Sequence, residues 1–175
     1  MALKNFICVY DEDVQKFLNE NALKYEERNW GRTYLVLNMP LDEFLNDENS
    51  KIEGYFTLNL KAINYPENTS NSLRKKINRG LNKSVEQENC FPCVLIGQLG
   101  KYISEDYVSS LERSKLLELA FYLTRKVNEI APMDCVILDT RKNKKVNDFY
   151  IRNGFMLFDS TDEFDTFIKI VKAND

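Results

Sequence analysis

Asn143-Lys-Lys-Val-Asn-Asp-Phe-Tyr-Ile-Arg-Asn-Gly-Phe155 is the most informative segment of the sequence. It predicts a short helix of about three turns, because Asn143 is a good N-cap and Gly154 suits the left-handed position that closes a helix. Phe155 is expected to begin the following strand. The pattern therefore places Tyr150 near a rigid helix end, where its hydroxyl is held in a fixed position.

The composition is that of an ordinary globular protein, and it limits the possible partners. The chain has 175 residues, 43% of them hydrophobic and 29% charged, so we expect residues 1–175 to form a single domain. The formal net charge of -3 gives no overall attraction for nucleic acid or an anionic membrane, so such a partner would need a local patch. Without a long apolar run or a secretory signal, the sequence predicts a cytoplasmic protein with no membrane association.

The reactive side chains restrict the chemistry further. The chain has no histidine, which excludes Ser-His and Cys-His nucleophile pairs and the common histidine-bearing zinc sites. Cys90 and Cys93 precede a strand pattern, whereas a thioredoxin-like motif requires a helix start, and no second metal-ligand pair accompanies them. Cys8 and Cys135 stand alone in apolar runs. We therefore expect structural thiols and no metal site.

The hydrophobic pattern predicts an α/β protein, with α+β character and a mixed sheet. The apolar run Pro92–Gly100 is typical of a central strand, and the amphipathic stretch Leu111–Ile130 followed by Cys135–Leu138 implies a parallel crossover. The expected order is β-α-β-β-β-α-β-α-β-β. The other predicted elements are strands at Asn5–Tyr10, Arg32–Leu37, Ile52–Leu60, Phe155–Phe158 and Thr166–Val171, a helix from Asp11 to about Tyr25, and a polar excursion at Asn64–Asn89 with a helical turn around Leu73–Leu81.

This element order, with Asn143 ahead of Phe149-Tyr150-x-x-x-Gly154-Phe155, resembles the GNAT superfamily of acyl-CoA-dependent N-acetyltransferases. The resemblance covers most of the chain and implies the acyl-CoA N-acyltransferase fold. It also implies that acetyl-CoA, as co-substrate, lies between two splayed parallel strands, and that the acetyl group passes to a primary amine. The expected cofactor-binding residues on this basis are Leu99, Gly100 and Lys101, through their backbone, and Asn143.

Tyr150 is the expected general acid of such a reaction. A tyrosine hydroxyl with an ordinary pKa of about 10 is protonated at neutral pH and fits the role of proton donor to a departing thiolate. The alternative is that Phe149 and Tyr150 only pack the helix onto the sheet. The general base is unassigned, with Glu26, Glu27, Glu53 and Asp139 as carboxylates on suitable segments and water as another possibility.

The phosphate-binding loop departs from the family pattern. The family normally has Gln/Arg-x-x-Gly-x-Gly/Ala, because glycines let backbone N–H groups approach a pyrophosphate closely. The corresponding segment is Val108-Ser-Ser-Leu-Glu-Arg-Ser114, which has no glycine. Either Ser109, Ser110, Arg113 and Ser114 bind the phosphates partly through side chains, or the cofactor site has decayed and the protein is a degenerate binding module that shares the fold.

A basic segment points to a second acceptor class. Leu73 to Lys83 carries five positive charges and no acid. The segment resembles the insertion of toxin-type acetyltransferases, which modify the amine of aminoacyl-tRNA, although a charge run is more often a solvated helix face. A tRNA partner would contact Arg74, Lys75, Lys76, Arg79 and Lys83.

The oligomeric state is left open as monomer or homodimer. Phe164, Phe167 and Ile168 belong to the predicted C-terminal hairpin, and they would either support a dimer or complete the sheet.

Overall fold

The computed structural model describes residues 6–78, 89–131, 133 and 135–171. The described residues divide into two compact units, one drawn from Met1–Asn59 and Gly97–Phe121 and the other from Leu60–Ile96 and Tyr122–Asp175. Within the described residues, six strands form one sheet in the order β1-β2-β3-β4-β6-β5. No helix among these residues combines the length and apolar character needed to cross a membrane.

The elements follow the predicted order except at the N-terminus and at Leu41–Phe44, where the structure has a short helix that the hydrophobic pattern does not predict. The helices are α1 (Glu12–Lys16), α2 (Ala22–Glu27), α3 (Leu41–Phe44), α4 (Asn71–Ile77), α5 (Arg113–Ile130) and α6 (Lys144–Arg152), with a π-helical segment, Phe17–Asn21, joining α1 to α2. The strands are β1 (Arg32–Leu37), β2 (Ile52–Asn64), β3 (Cys90–Lys101), β4 (Cys135–Arg141), β5 (Met156–Ser160) and β6 (Phe164–Ile170). The mixed α/β fold with a parallel β3–β4 pair is as predicted.

The predicted first strand, Asn5–Tyr10, is wrong within its described part. Only Cys8 forms a bridge there, a parallel one with Ile103. The segment is apolar because it enters the core, where Phe6 is 1% and Cys8 6% exposed. Burial of Phe6 and Cys8 therefore accounts for part of the apolar pattern that resembled a strand, and among the described residues the backbone pairing of the segment is limited to Ile103, which bonds to Ile7 and Val9.

The core of the first unit forms around Tyr55 on β2. Its ring is fully buried and packs edge-on against Phe6, with ring centroids 5.2 Å apart. The Tyr55 hydroxyl donates a hydrogen bond to the Val14 carbonyl at 2.6 Å, which attaches α1 to the sheet. Burial raises the pKa of Tyr55, so this donor stays protonated.

Gly100 lets α1 approach β3 closely. A Cβ built at Gly100 would lie 2.2 Å from Cγ1 of Val14 and 3.3 Å from the Tyr55 ring. Only a residue without a side chain fits under α1 at this place. Gly100, predicted as a cofactor-binding residue, therefore also has a packing reason to be glycine.

The core of the second unit lies on the two faces of β4 and β6. These strands pair antiparallel along their whole length, from Cys135 opposite Ile170 to Arg141 opposite Phe164. One face packs with α4 through Tyr65 and Ile77, while the other buries Tyr150 of α6 against Phe167.

Phe167 and Ile168 are 1% and 0% exposed, so they complete the sheet and are not surface residues for a dimer. Phe164 is 37% exposed.

The cysteines behave as structural thiols. Cys8, Cys93 and Cys135 are buried, Cys90 is half-buried, and none forms a disulfide. Both Cys90 and Cys93 lie on strand β3, as predicted. Burial raises the pKa of Cys93 to about 12, so its thiol is not a nucleophile at neutral pH.

Replacing Gly100 with alanine is expected to destabilise the protein by about 1–3 kcal/mol, since the new methyl group overlaps Val14 and the core must shift. Gly97→Ala on the same strand is the control, because a Cβ there meets only Oδ1 of Asn59 at 3.2 Å. Urea unfolding of both variants measures the difference. Equal unfolding free energies for the two would contradict the close approach of α1.

Candidate functional site

Helix α6 has the ends that the sequence predicted. Oδ1 of Asn143 accepts hydrogen bonds from the backbone N–H groups of Lys145 at 3.0 Å and Val146 at 3.4 Å. At the other end Gly154 has φ +83°, the left-handed conformation that glycine adopts without strain. Nζ of Lys169 donates to the Asn153 carbonyl at 2.9 Å and so satisfies a carbonyl at the helix C-terminus.

A hydrogen-bonded chain fastens α6 to the sheet. The Thr140 hydroxyl on β4 donates to Oδ1 of Asn147 at 3.1 Å, and Nδ2 of Asn147 donates to Oδ2 of Asp165 at 2.6 Å. Oδ1 of Asp165 accepts from the Ser160 hydroxyl at 2.7 Å. Asp165 is 7% exposed, so a buried carboxylate on β6 holds α6, β4 and β5 together.

Tyr150 occupies a fixed position on this helix. It is 8% exposed, and its ring packs edge-on against Phe149 and Phe155 with centroids 5.2 and 5.5 Å away. The ring therefore anchors the helix, as the packing alternative required. An anchored ring also fixes the direction of its hydroxyl, so the packing role and an acid role are compatible.

The loop after β3 is closed around the side chain of Lys101. Its ammonium donates to the carbonyls of Ser109 at 2.9 Å and Leu111 at 3.1 Å. The backbone N–H of Ser109 donates to the Tyr102 carbonyl at 3.0 Å. The β3–β4 ladder covers Val94–Leu95 and Val136–Ile137, so the backbone of Leu99, Gly100 and Lys101 lies outside that ladder.

The four predicted phosphate-binding residues fall into two groups. Ser109 is 3% exposed and its hydroxyl accepts from the Leu111 N–H at 3.0 Å, so it is part of the loop's own structure. The Ser114 hydroxyl donates to the Glu112 carboxylate at 3.2 Å. Ser110 and Arg113 are exposed. Within the described part of the chain the Arg113 guanidinium has no hydrogen-bond or ion-pair partner.

The missing glycines cause no backbone strain in this loop. None of residues 102–112 has a positive φ, since the positive values in the described chain belong to Asn29 and Gly154. Side-chain bonds hold the loop instead. The loop ends at Arg113, the first residue of the 18-residue helix α5, whose first-turn N–H groups have no intrahelical acceptor.

The candidate general bases prove to have different surroundings. The Glu26 carboxylate forms an ion pair with Arg32 at 2.9 Å and accepts a hydrogen bond from the Thr33 N–H at 2.6 Å, so its role is structural. Glu53 is 7% exposed, accepts from the Tyr107 hydroxyl at 2.6 Å, and has no partner for its Oε2 among the described residues. The hydrogen bond to Glu53 raises the pKa of Tyr107, which holds the loop in its protonated form.

The basic segment is partly used inside the protein. The Arg74 guanidinium stacks over the Tyr65 ring, 4.4 Å from its centroid. Lys75 and Lys76 on α4 are exposed, and neither ammonium has a partner in the described chain. Arg79 and Lys83 lie outside the described residues.

A cavity of about 350 Å³ opens on the α4 side of the second unit. No sequence pattern indicated it, because it is lined by parts of five strands and of the segment after β2. Its lining consists of Lys61, Ile63, Asn64, Tyr65, Pro66, Leu95, Ile137, Asp139, Phe158, Asp159 and Thr166.

The structure groups the predicted residues by unit. Leu99, Gly100, Lys101, Ser109, Ser110, Arg113 and Ser114 belong to the first unit, and Arg74, Lys75, Lys76, Asn143 and Tyr150 to the second. The Lys101 contacts and the Glu53–Tyr107 pair escaped sequence reasoning. The partners are 8 to 54 residues apart and no local pattern marks them.

Comparison with solved structures finds proteins of the same architecture. A tyrosine-to-phenylalanine mutant of KacT matches with TM-score 0.72 and 18% identity, covering 98% of this chain and 88% of that one. AtaT complexed with acetyl-methionyl-tRNAfMet matches with TM-score 0.70 and 19% identity over 96% of this chain and 86% of that one. The chain has the GNAT fold.

A third similar structure is AtaTR bound with AcCoA, with TM-score 0.69, 19% identity, and coverage of 98% of this chain and 87% of that chain. Protein-family models and characterised proteins compared by sequence give no match. The likeness therefore lies in the fold, and it confirms the GNAT fold expected from the residues around Tyr150.

The attachment of α6 makes a prediction about acid stability. The hydrogen bonds from Ser160 and then Asn147 lower the pKa of Asp165. A carboxyl with a lowered folded pKa stabilises the protein above its unfolded pKa of about 3.9, and this stabilisation is lost as the pH falls through the folded value. Asp165→Asn should therefore be less stable than the parent at pH 7, with the difference shrinking below about pH 4.

Urea unfolding at pH 7, 5, 4 and 3 measures this difference, with Asp162→Asn at an exposed position as the control. A constant difference between parent and Asp165→Asn at every pH would contradict the pKa assignment.

Proposed function

We propose that this protein is an acetyl-CoA-dependent N-acetyltransferase that transfers an acetyl group to a primary amine. The carrying observation is Tyr150, fixed on a capped and fastened helix of a chain with the GNAT fold. The likeness to AtaTR bound with AcCoA supports acetyl-CoA as the co-substrate.

In the proposed reaction the neutral amine nitrogen attacks the thioester carbonyl. The new C–N bond forms as the C–S bond breaks, and the departing thiolate takes the proton of the Tyr150 hydroxyl. The proton lost by the amine restores the donor through solvent. The ring contacts with Phe149 and Phe155 hold the donor in place, so little rotational entropy has to be lost when the proton is transferred.

The loop before α5 supports phosphate binding without glycine. Arg113 is exposed with a free guanidinium in the described chain, and it stands at the N-terminus of α5, where backbone N–H groups and the helix dipole favour an anion. Ser110 adds an exposed hydroxyl. The Glu112 carboxylate would repel a polyanion, but it accepts a hydrogen bond from the Ser114 hydroxyl in the first turn of α5. The two Lys101 bonds keep the loop in one shape.

Tyr150→Phe is the direct test of the acid role. It keeps the ring contacts and removes only the hydroxyl, so acetyl-CoA affinity by calorimetry should stay at the parent value, while turnover falls about 10²–10⁴-fold. Tyr122→Phe, at a 52% exposed position on α5, is the matched control. Undiminished turnover in Tyr150→Phe would reject the acid role. No acetyl-CoA binding to the parent protein at millimolar concentration would reject the enzyme and leave a degenerate binding module.

A second acceptor class is favoured by α4. We infer that the acceptor amine is carried by a polyanion, aminoacyl-tRNA, because Lys75 and Lys76 are exposed and unpaired among the described residues. The similarity to AtaT complexed with acetyl-methionyl-tRNAfMet supports this choice. Arg74 would act mainly by holding α4 through Tyr65.

The combined variant Lys75→Gln, Lys76→Gln should weaken the binding of aminoacyl-tRNA and leave acetyl-CoA affinity unchanged. If each lysine contacts one phosphate, the slope of log affinity against log salt becomes less steep by about 2. The control is Lys16→Gln, Lys24→Gln, which removes the same charge from exposed positions on α1 and α2. If the α4 variant has the parent's affinity for tRNA and the parent's salt dependence, then α4 does not bind tRNA.

A further inference from the structure

The cavity on the α4 side of the second unit has an apolar interior and a charged mouth. Tyr65 and Ile137 are 5% and 2% exposed and form its buried wall, and Leu95 and Phe158 are half-buried. The exposed lining residues are Lys61, Asn64, Asp139 and Asp159, of which all but Asn64 are charged. A ligand that fits must therefore bury an apolar group and leave a charged group at the mouth.

The charges at the mouth favour a cation. Two carboxylates and one ammonium leave a formal charge of -1 there. Oδ1 of Asp139 accepts from the Thr166 hydroxyl at 2.5 Å, which fixes the orientation of the carboxylate. A phosphate-bearing ligand is disfavoured by the same charges. A protonated amine gains charge-assisted hydrogen bonds.

On the side that faces α4, the aromatic wall of the cavity contacts other side chains of the protein. The Arg74 guanidinium stacks on the Tyr65 ring, and the Tyr65 hydroxyl donates to Oδ1 of Asn78 at 2.8 Å. Phe91 packs between Tyr65 and Phe158, with ring centroids 4.8 and 5.8 Å from them. These contacts make the wall rigid, so the cavity is preformed.

The cavity and Tyr150 share one supporting network. Asp139 and Thr166 line the cavity, while their neighbours Thr140 and Asp165 hold α6 through Asn147. Because side chains alternate along a strand, β4 and β6 present the cavity on one face and the α6 attachment on the other. A ligand in the cavity thus binds to the same strands that carry the Tyr150 helix.

We infer that this cavity recognises a protonated primary amine with an apolar substituent, and that it is the recognition site for the amine-bearing end of the acceptor. The acceptor assignment rests on the proposed acetyltransferase function, whereas recognition of the amine rests on the cavity alone. Its volume of about 350 Å³ lies at the small end of ligand pockets and suits one amino-acid-sized group. The bound ammonium would interact with Asp139, and the substituent would contact Leu95, Ile137 and Phe158. The ammonium would release one proton to solvent before the neutral amine attacks the thioester.

Calorimetry without acetyl-CoA tests the recognition, with three probes of related structure. Leucinamide has both the amine and the apolar group, glycinamide lacks the apolar group, and 4-methylpentanamide lacks the amine. Leucinamide should bind at least about tenfold more tightly than either of the other two, since each lacks one of the two interactions. Equal affinities for the three probes, or no leucinamide binding, would overturn the inference.

Two variants locate the binding. Asp139→Asn removes the charge without changing the shape and should weaken leucinamide binding about tenfold. Leu95→Trp should abolish binding by filling the cavity. Asp162→Asn, exposed in the same unit and outside the lining, is the control. Thermal melting checks that each variant is folded. Parent-like affinity in both cavity variants would place leucinamide elsewhere and overturn the inference.

An assay of thiol release from acetyl-CoA separates this inference from the proposed function. If leucinamide binds as expected and no thiol is released, the amine site stands and the acetyltransferase proposal fails. If leucinamide is acetylated equally well by the parent, Asp139→Asn and Leu95→Trp, the enzyme stands and the cavity is not its acceptor site.

Discussion

The buried carboxylate of Asp165 is the constraint on which the arrangement of the second unit depends. A charge that is 7% exposed is costly unless it is hydrogen-bonded, and Asp165 accepts from both Ser160 and Asn147. Because these donors lie on β5 and α6, satisfying the carboxylate fixes both elements against β6. The position of Tyr150 follows from an electrostatic requirement on a neighbouring strand as much as from its own ring packing.

The sequence was most informative where the determining chemistry is local. Asn143 and Gly154 were recognised as the ends of α6, because a cap and a left-handed glycine act within a few residues. The predicted strand before Asp11 was wrong because burial and strand pairing produce the same apolar pattern. The π-helical segment Phe17–Asn21 was missed since its extra residue per turn has no distinct signature.

The candidate site was predictable only in part, and the loop after β3 shows why. Its position was found from the strand and helix on either side. That Lys101 binds the carbonyls of Ser109 and Leu111, and that Tyr107 reaches Glu53, depends on the folded chain. The absence of glycine appeared to be a defect in the sequence. The structure contains a loop with ordinary backbone angles that side chains keep in shape.

The ring of Tyr65 belongs to two features at once. One part lines the cavity, and the Arg74 guanidinium covers it from α4. An occupant of the cavity that displaces this ring would also displace the Arg74 side chain stacked on it, and a polyanion that moved Arg74 would act on the ring in return. Binding free energies are reciprocal, so each ligand would change the affinity for the other by the same factor. With both proposed ligands bound, one aromatic side chain would couple them although they do not touch each other.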